Sequence, residues 1–163
     1  MRRRRLFSIA ACLAGLLPGI AAACTCPAST EYWWQEATRV ALVRIESVGW
    51  RTEDGFSRAT CSIGPRCVSK QVARFTQIES FKGSLNAVPT LASGYGGGDC
   101  GIPLVAGAYY VVFLRKDDSN VGICNATGPN VYLKHIEPFL QSLRLVARDP
   151  KAKFAARPPR QPL

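Results

Sequence analysis

Histidine is nearly absent from this chain of 163 residues, which has a single imidazole, that of His135. A histidine-rich metal centre is therefore excluded, and a Ser-His-Asp hydrolase would have to rest on His135 alone. After residue 23 no apolar run is long enough to cross a bilayer, which excludes a multi-span membrane protein. With 47% hydrophobic and 20% charged residues, the composition is that of one globular domain.

The first 23 residues have the composition of an export signal rather than of a folded element. Four arginines at positions 2–5 precede an apolar stretch at 6–17, and small residues follow at Ala21–Ala23. This order is typical of a signal peptide, so we predict cleavage after Ala23 and a secreted or periplasmic protein. The general secretory route and the twin-arginine route both remain open, because the arginines stand directly before the apolar run.

A lipid anchor is the alternative to a free mature N-terminus. Cys24 and Cys12 each follow small residues, as the acylated cysteine of a lipoprotein does. Acylation of Cys24 would remove its free α-amine. The intact mass of the exported protein distinguishes the two outcomes.

Export also changes the interpretation of the seven cysteines. Cys12 belongs to the signal, and the even number that remains in an exported chain predicts three disulfides. Six cysteines allow many pairings, and their spacing alone does not choose among them. The six are Cys24, Cys26, Cys61, Cys67, Cys100 and Cys124.

Alternating apolar residues predict a mainly β domain after the signal. Ser29 or Thr30 can cap a short helix that runs to Glu36. Helical spacing near the end of the chain predicts a second helix at 132–146, which kinks or begins anew at Pro138. The predicted strands lie at 38–48, 68–82, 88–92, 108–114 and 121–124.

Five strands of uneven length with a helix near each end fit a five-stranded OB-type Greek-key barrel stapled by disulfides. A β-sandwich is the alternative. This domain occupies residues 24–148. Residues 149–163 are rich in proline and basic side chains, and we predict a disordered basic tail there.

We find no catalytic or cofactor motif, so we expect neither an enzyme nor a cofactor. The glycine-rich segment 93–101 is not followed by the Lys-Ser/Thr pair and helix that a phosphate-binding loop requires. The acidic pairs Glu53–Asp54 and Asp117–Asp118 fall in predicted turns. His135 lies on the last predicted helix and is expected to be a surface histidine.

The start of the mature chain, Cys24-Thr25-Cys26 followed by a short helix and a long strand, resembles the tissue inhibitors of metalloproteinases. The similarity continues through Cys100-Gly101, the strand after Gly107 and Cys124, and covers roughly residues 24–146. It implies the netrin-type OB barrel that this family shares. It also implies the disulfides Cys24–Cys100 and Cys26–Cys124, which leave Cys61 and Cys67 to pair with each other.

The resemblance implies a function for the first residue. After cleavage, the α-amine and carbonyl of Cys24 would chelate the zinc of a target metalloprotease, and this chain would need no metal of its own. Thr25 would enter the pocket beside the zinc. Cys26, Gly98 and Asp99 would extend the contact surface. The alternative is a noncatalytic extracellular binding module of the netrin type that inhibits no protease.

The charge distribution argues against a nucleic-acid partner. Loss of the four signal arginines lowers the formal net charge from +10 to +6, and half of the remainder lies after residue 148. A charge of +3 on residues 24–148 is small for a groove that tracks a phosphate backbone. We expect a monomer whose basic tail makes at most weak contact with an anionic envelope surface.

Overall fold

The structure is a computed structural model that describes residues 24–26, 29–52, 69–94 and 100–158. The predicted signal, residues 1–23, lies outside the described residues. In chain order the elements are helix α1 (Thr30–Glu36), strands β1 (Arg39–Thr52), β2 (Ser69–Lys82), β3 (Leu91–Ser93), β4 (Tyr109–Leu114) and β5 (Ala126–Asn130), a 3₁₀ turn (Leu133–His135) and helix α2 (Glu137–Arg148).

The sheet has five antiparallel strands in the order β3-β2-β1-β4-β5. Four of them, read from β4 through β1 and β2 to β3, have the spatial order of a Greek key. A parallel bridge between Ala92 and Asn120 links the β3 edge to the segment before β5. The Val121 amide donates to the Ala92 carbonyl there at 2.8 Å. The predicted fold class, a mainly β barrel-like domain with two helices and disulfides, is confirmed.

Strand β1 lies at the centre of the sheet, and its residues 40–43 are buried on both faces. Ala41, Val43 and Ile45 point into the inner core of the barrel. Val40 and Leu42 point to the opposite face, where the outer core packs against helix α2. Because successive side chains alternate across a strand, an almost unbroken apolar run fills both cores at once.

Helix α1 begins where its capping signal predicts. The Ser29 side chain accepts a hydrogen bond from the Tyr32 amide at 3.2 Å, and Glu31 lies in the first turn, where negative charge favours the helix dipole. Trp33 and Trp34 are half-buried and both pack against the outer core. Core packing therefore accounts for both tryptophans.

The fifth strand lies later in the chain than the alternation predicts. Residues 121–124, expected to be a strand, form an isolated bridge and a turn, and β5 occupies 126–130 instead. Gly128 and Pro129 look like turn residues in the sequence. Proline is tolerated here because β5 lies at the edge of the sheet, bonded to β4 alone, so the missing amide breaks no ladder between two strands.

Helix α2 begins anew at Pro138, which is one of the two predicted outcomes. Proline sits in its first turn, where no backbone amide has an intrahelical partner. Arg144 fixes the helix to the sheet: its guanidinium donates twice to the Glu79 carboxylate, at 2.7 and 2.8 Å, and once to Glu137 at 2.6 Å. These hydrogen bonds raise the pKa of Arg144 above its usual value, and those with Glu79 have the largest effect.

Residues 149–158, in the predicted basic tail, follow the surface of the domain. Phe154 packs against the outer core, and the Ala155 amide donates to the Ser142 hydroxyl at 2.8 Å. Residues 159–163 of the predicted tail lie outside the described residues.

Candidate functional site

The first three described residues are stapled to the barrel on both sides of Thr25. Cys24 is bonded to Cys100 with a Cα–Cα distance of 5.6 Å, and Cys26 to Cys124 with a distance of 5.1 Å. Both distances are ordinary for disulfides. These are the two pairings that the sequence resemblance implies. The cysteines are half-buried and Thr25 is exposed, so the threonine side chain is presented between two covalent anchors.

The two anchoring cysteines are held together by a close backbone contact. Gly101 and Gly122 form an isolated antiparallel bridge, and the Ile123 amide donates to the Cys100 carbonyl at 3.0 Å. A Cβ atom on Gly122 would lie 2.4 Å from that same carbonyl oxygen. Glycine is therefore required at 122 for the two anchor segments to approach each other.

Asn125 organises the turn that carries Cys124. Its side-chain oxygen accepts from the Gly122 amide at 2.8 Å, and its side-chain nitrogen donates to the Asn120 carbonyl at 2.9 Å. Its backbone carbonyl accepts from the Phe113 amide of β4 at 2.8 Å. The turn is thus attached directly to the sheet. The sequence analysis missed Asn125, although asparagine is a common turn residue that bonds nearby backbone.

Two buried polar side chains organise the Cys100 side. The Ser93 hydroxyl accepts from the Ile102 amide and donates to the Ile102 carbonyl, both at 2.8 Å. The Gln71 side chain accepts from the Leu104 amide at 2.8 Å. Ser93 is 2% exposed and Gln71 5%, so these bonds are shielded from water. A polar residue at an inward position of an alternating strand is the signal that could have identified them.

Tyr110 fixes the segment that follows Ile102. Its hydroxyl donates to the Pro103 carbonyl at 2.8 Å and accepts from the Val105 amide at 3.0 Å. Burial raises the pKa of Tyr110 to about 12, although the hydrogen bond from Val105 opposes the shift. The hydroxyl therefore stays protonated at neutral pH and keeps both bonds.

The structure brings together only part of the predicted site. Gly98 and Asp99 lie outside the described residues, as do Cys61 and Cys67 with their proposed bridge. Within the described ranges, no group of three or more His, Cys, Asp or Glu residues could hold a metal ion. In the same part of the chain, no helix is long and apolar enough to span a membrane.

The remaining singled-out residues make local contacts. His135 is exposed on the 3₁₀ turn, where its ring meets that of Tyr132 edge-on at 5.6 Å. Asp118 accepts from the Asn120 amide at 2.8 Å within the turn after β4. These side chains have structural contacts, and the described geometry gives them no shared cleft.

No protein-family model matches the chain, and a search of curated proteins gave no match. The inference about function therefore rests on the residues around Cys24, their geometry and the resemblance described above.

Proposed function

We propose that the mature protein is a secreted, noncatalytic inhibitor of a zinc metalloprotease, similar in mode to the tissue inhibitors of metalloproteinases. The observation that carries the proposal is the exposed Thr25 between the disulfides of Cys24 and Cys26, at the point where the predicted signal ends. Cys24 supplies the group that reaches the metal.

The chemistry requires a free α-amine on Cys24. An α-amino group has a pKa of about 7.7–8.0, so a substantial fraction is neutral near neutral pH and offers a nitrogen lone pair. That nitrogen and the carbonyl oxygen of the same residue form a five-membered chelate with one metal ion. A catalytic zinc keeps one position for water, which such a chelate would displace.

Rigidity supports the proposal. A free N-terminal peptide loses conformational entropy when it enters a cleft, and pre-organisation lowers that cost. Here two disulfides fix the tripeptide, the Gly101–Gly122 bridge fixes the disulfides to each other, and Ser93 and Asn125 fix the two anchor segments to the sheet. Thr25 is the exposed residue of the tripeptide, between the two bridged cysteines.

The decisive experiment compares two chains that differ by one residue. One begins at Cys24, and the other carries an additional alanine before it. The extension converts the chelating amine into a peptide amide without a donor lone pair, while both disulfides stay in place. Inhibition constants are measured against a panel of secreted zinc metalloproteases, with melting temperatures as the folding control.

We expect the chain beginning at Cys24 to inhibit at least one protease. The extended chain should lose inhibition by about a hundredfold or more, because losing even an outer-shell partner of a metal ligand costs about 10–100-fold. Thr25→Gly should weaken or retarget inhibition but not abolish it. Lys134→Gln, at an exposed site on the 3₁₀ turn, is the matched control and should have no effect. Equal inhibition by both chains contradicts zinc chelation. Absence of inhibition by either favours the netrin-type binding module.

A further inference from the structure

The segment 149–158, which we call the C-terminal strap, is fixed to the two helices. The Ser142 hydroxyl of α2 accepts from the Ala155 amide at 2.8 Å and from the Ala156 amide at 3.4 Å. The Phe154 ring meets the Trp34 ring of α1 edge-on at 5.9 Å. Ser142 is 2% exposed, and the strap amides that donate to its hydroxyl satisfy this buried polar group.

Exposure alternates along the strap. The even-numbered residues from Ala152 to Pro158 are half-buried against the domain, and the odd-numbered residues from Lys151 to Arg157 are exposed. The strap begins with a turn at 149–152, where the Ala152 amide donates to the Asp149 carbonyl at 2.9 Å. Lys151 is exposed in that turn, and Lys153 and Arg157 are exposed after it.

These cations have no acidic partner among the described residues. The ion pairs there involve Arg44, Arg115 and Arg144, none of which belongs to the strap. The strap has one acidic residue, Asp149, whose carboxylate accepts from the Lys151 backbone amide at 2.9 Å. Arg148, at the end of α2, adds another exposed cation beside it. The outer side of the strap is therefore an unneutralised positive row.

An exposed apolar residue adjoins this row. Leu145 is 56% exposed and lies one helical turn before Arg148. A leucine near two lysines and two arginines suits a membrane interface, where cations meet headgroup phosphates and the apolar side chain enters the acyl boundary. Binding of single-stranded nucleic acid instead uses exposed aromatic rings for base stacking, and the one aromatic ring of the strap, Phe154, packs inward.

We propose that the C-terminal strap is a docking surface for anionic phospholipid, with Lys151, Lys153 and Arg157 on the phosphates and Leu145 at the acyl boundary. This site is separate from the stapled N-terminus and needs no free α-amine. The alanine-extended chain should therefore bind lipid as well as the chain that begins at Cys24, and failure of either proposal leaves the other standing.

The test is co-sedimentation with vesicles of phosphatidylglycerol and phosphatidylcholine in equal parts, at low and at physiological salt. A cation near an anionic surface contributes about fivefold to binding, so the double variant Lys151→Gln, Lys153→Gln should bind about 25-fold more weakly. Lys134→Gln is the control, because it removes one exposed cation from the 3₁₀ turn before α2, outside the strap. All these side chains are exposed, and melting temperatures verify folding.

Leu145→Ser distinguishes lipid from a soluble polyanion. It should weaken vesicle binding about tenfold, as expected for partial loss of leucine burial, and leave binding to immobilised heparin unchanged. Unchanged vesicle binding by the double lysine variant overturns the proposal. If Leu145→Ser leaves vesicle binding unchanged, and heparin or an oligonucleotide binds the protein more tightly than the vesicles do, the ligand is a soluble polyanion and the lipid assignment is wrong.

Discussion

The disulfide between Cys26 and Cys124 should contribute less stability than its long sequence separation implies. The bridges Cys24–Cys100 and Cys26–Cys124 span 76 and 98 residues. Because it restricts the unfolded chain, either one alone would raise the free energy of unfolding by about 4.5 kcal/mol. Once one bridge is closed, however, the second closes a ring made of residues 24–26 and 100–124 only. That ring contains about 28 residues, which corresponds to about 3.5 kcal/mol.

The perturbation is the paired substitution Cys26→Ala, Cys124→Ala, compared with Cys24→Ala, Cys100→Ala. Both open the same ring, so both should lower the free energy of unfolding by about 3.5 kcal/mol, despite their different separations. This corresponds to about 10 °C in melting temperature for a domain of this size. Removing all four cysteines should lower the free energy of unfolding by about 8 kcal/mol, more than twice the effect of either paired substitution.

Urea unfolding under non-reducing conditions, followed by circular dichroism and tryptophan fluorescence, gives the three free energies. If either paired substitution lowers the free energy of unfolding by less than about 1 kcal/mol, the disulfides do not stabilise the protein by restricting the unfolded chain. A difference above about 1.5 kcal/mol between the two variants would show that native strain or packing outweighs ring size.

Two further perturbations test the supports of the site. Gly122→Ala places a Cβ 2.4 Å from a backbone oxygen and should destabilise the domain by about 2–3 kcal/mol, whereas Gly49→Ala, whose nearest contact is at 3.9 Å, should change stability by less than about 0.5 kcal/mol in urea unfolding. Tyr110→Phe leaves the Val105 amide unpaired and should cost about 1–3 kcal/mol at pH 7. Because burial raises the pKa of Tyr110 from 10 to about 12, the folded protein retains a proton that the unfolded chain releases, so stability falls with rising pH between these values. The phenylalanine variant should lack that fall, and a pH series of urea midpoints detects it; identical alkaline slopes would contradict the assignment.

Interactions between neighbouring residues determine where some helices and strands begin, and the sequence predicted those elements. Ser29 identifies the start of α1, the long alternation of 68–82 identifies β2, and Pro138 identifies the start of α2. Each depends on neighbours within a few residues, which is the range over which capping and periodicity act. The fold class followed from these elements and their order.

Features that depend on distant partners could not be predicted in the same way. Pro129 lies in a strand because that strand is at the sheet edge, a fact of topology rather than of local pattern. Gln71 and Ser93 became parts of the site because the segment after Cys100 returns to them across the barrel. The path of residues 149–158 involves the contact of Phe154 with Trp34, more than a hundred positions earlier.

The long span of the two disulfides has a consequence for biogenesis. If the chain is exported N-terminus first, Cys24 and Cys26 reach the oxidising compartment well before Cys100 and Cys124, which lie 76 and 98 residues downstream. Cys26, Cys61 and Cys67 are the first partners that Cys24 meets, and each of these encounters gives a non-native bond. Disulfide exchange proceeds by attack of a thiolate on an existing bridge, so reaching the native pairing requires a free thiol or a catalyst that supplies one. The yield of active protein in a heterologous host should therefore follow its disulfide isomerase capacity rather than its oxidant supply.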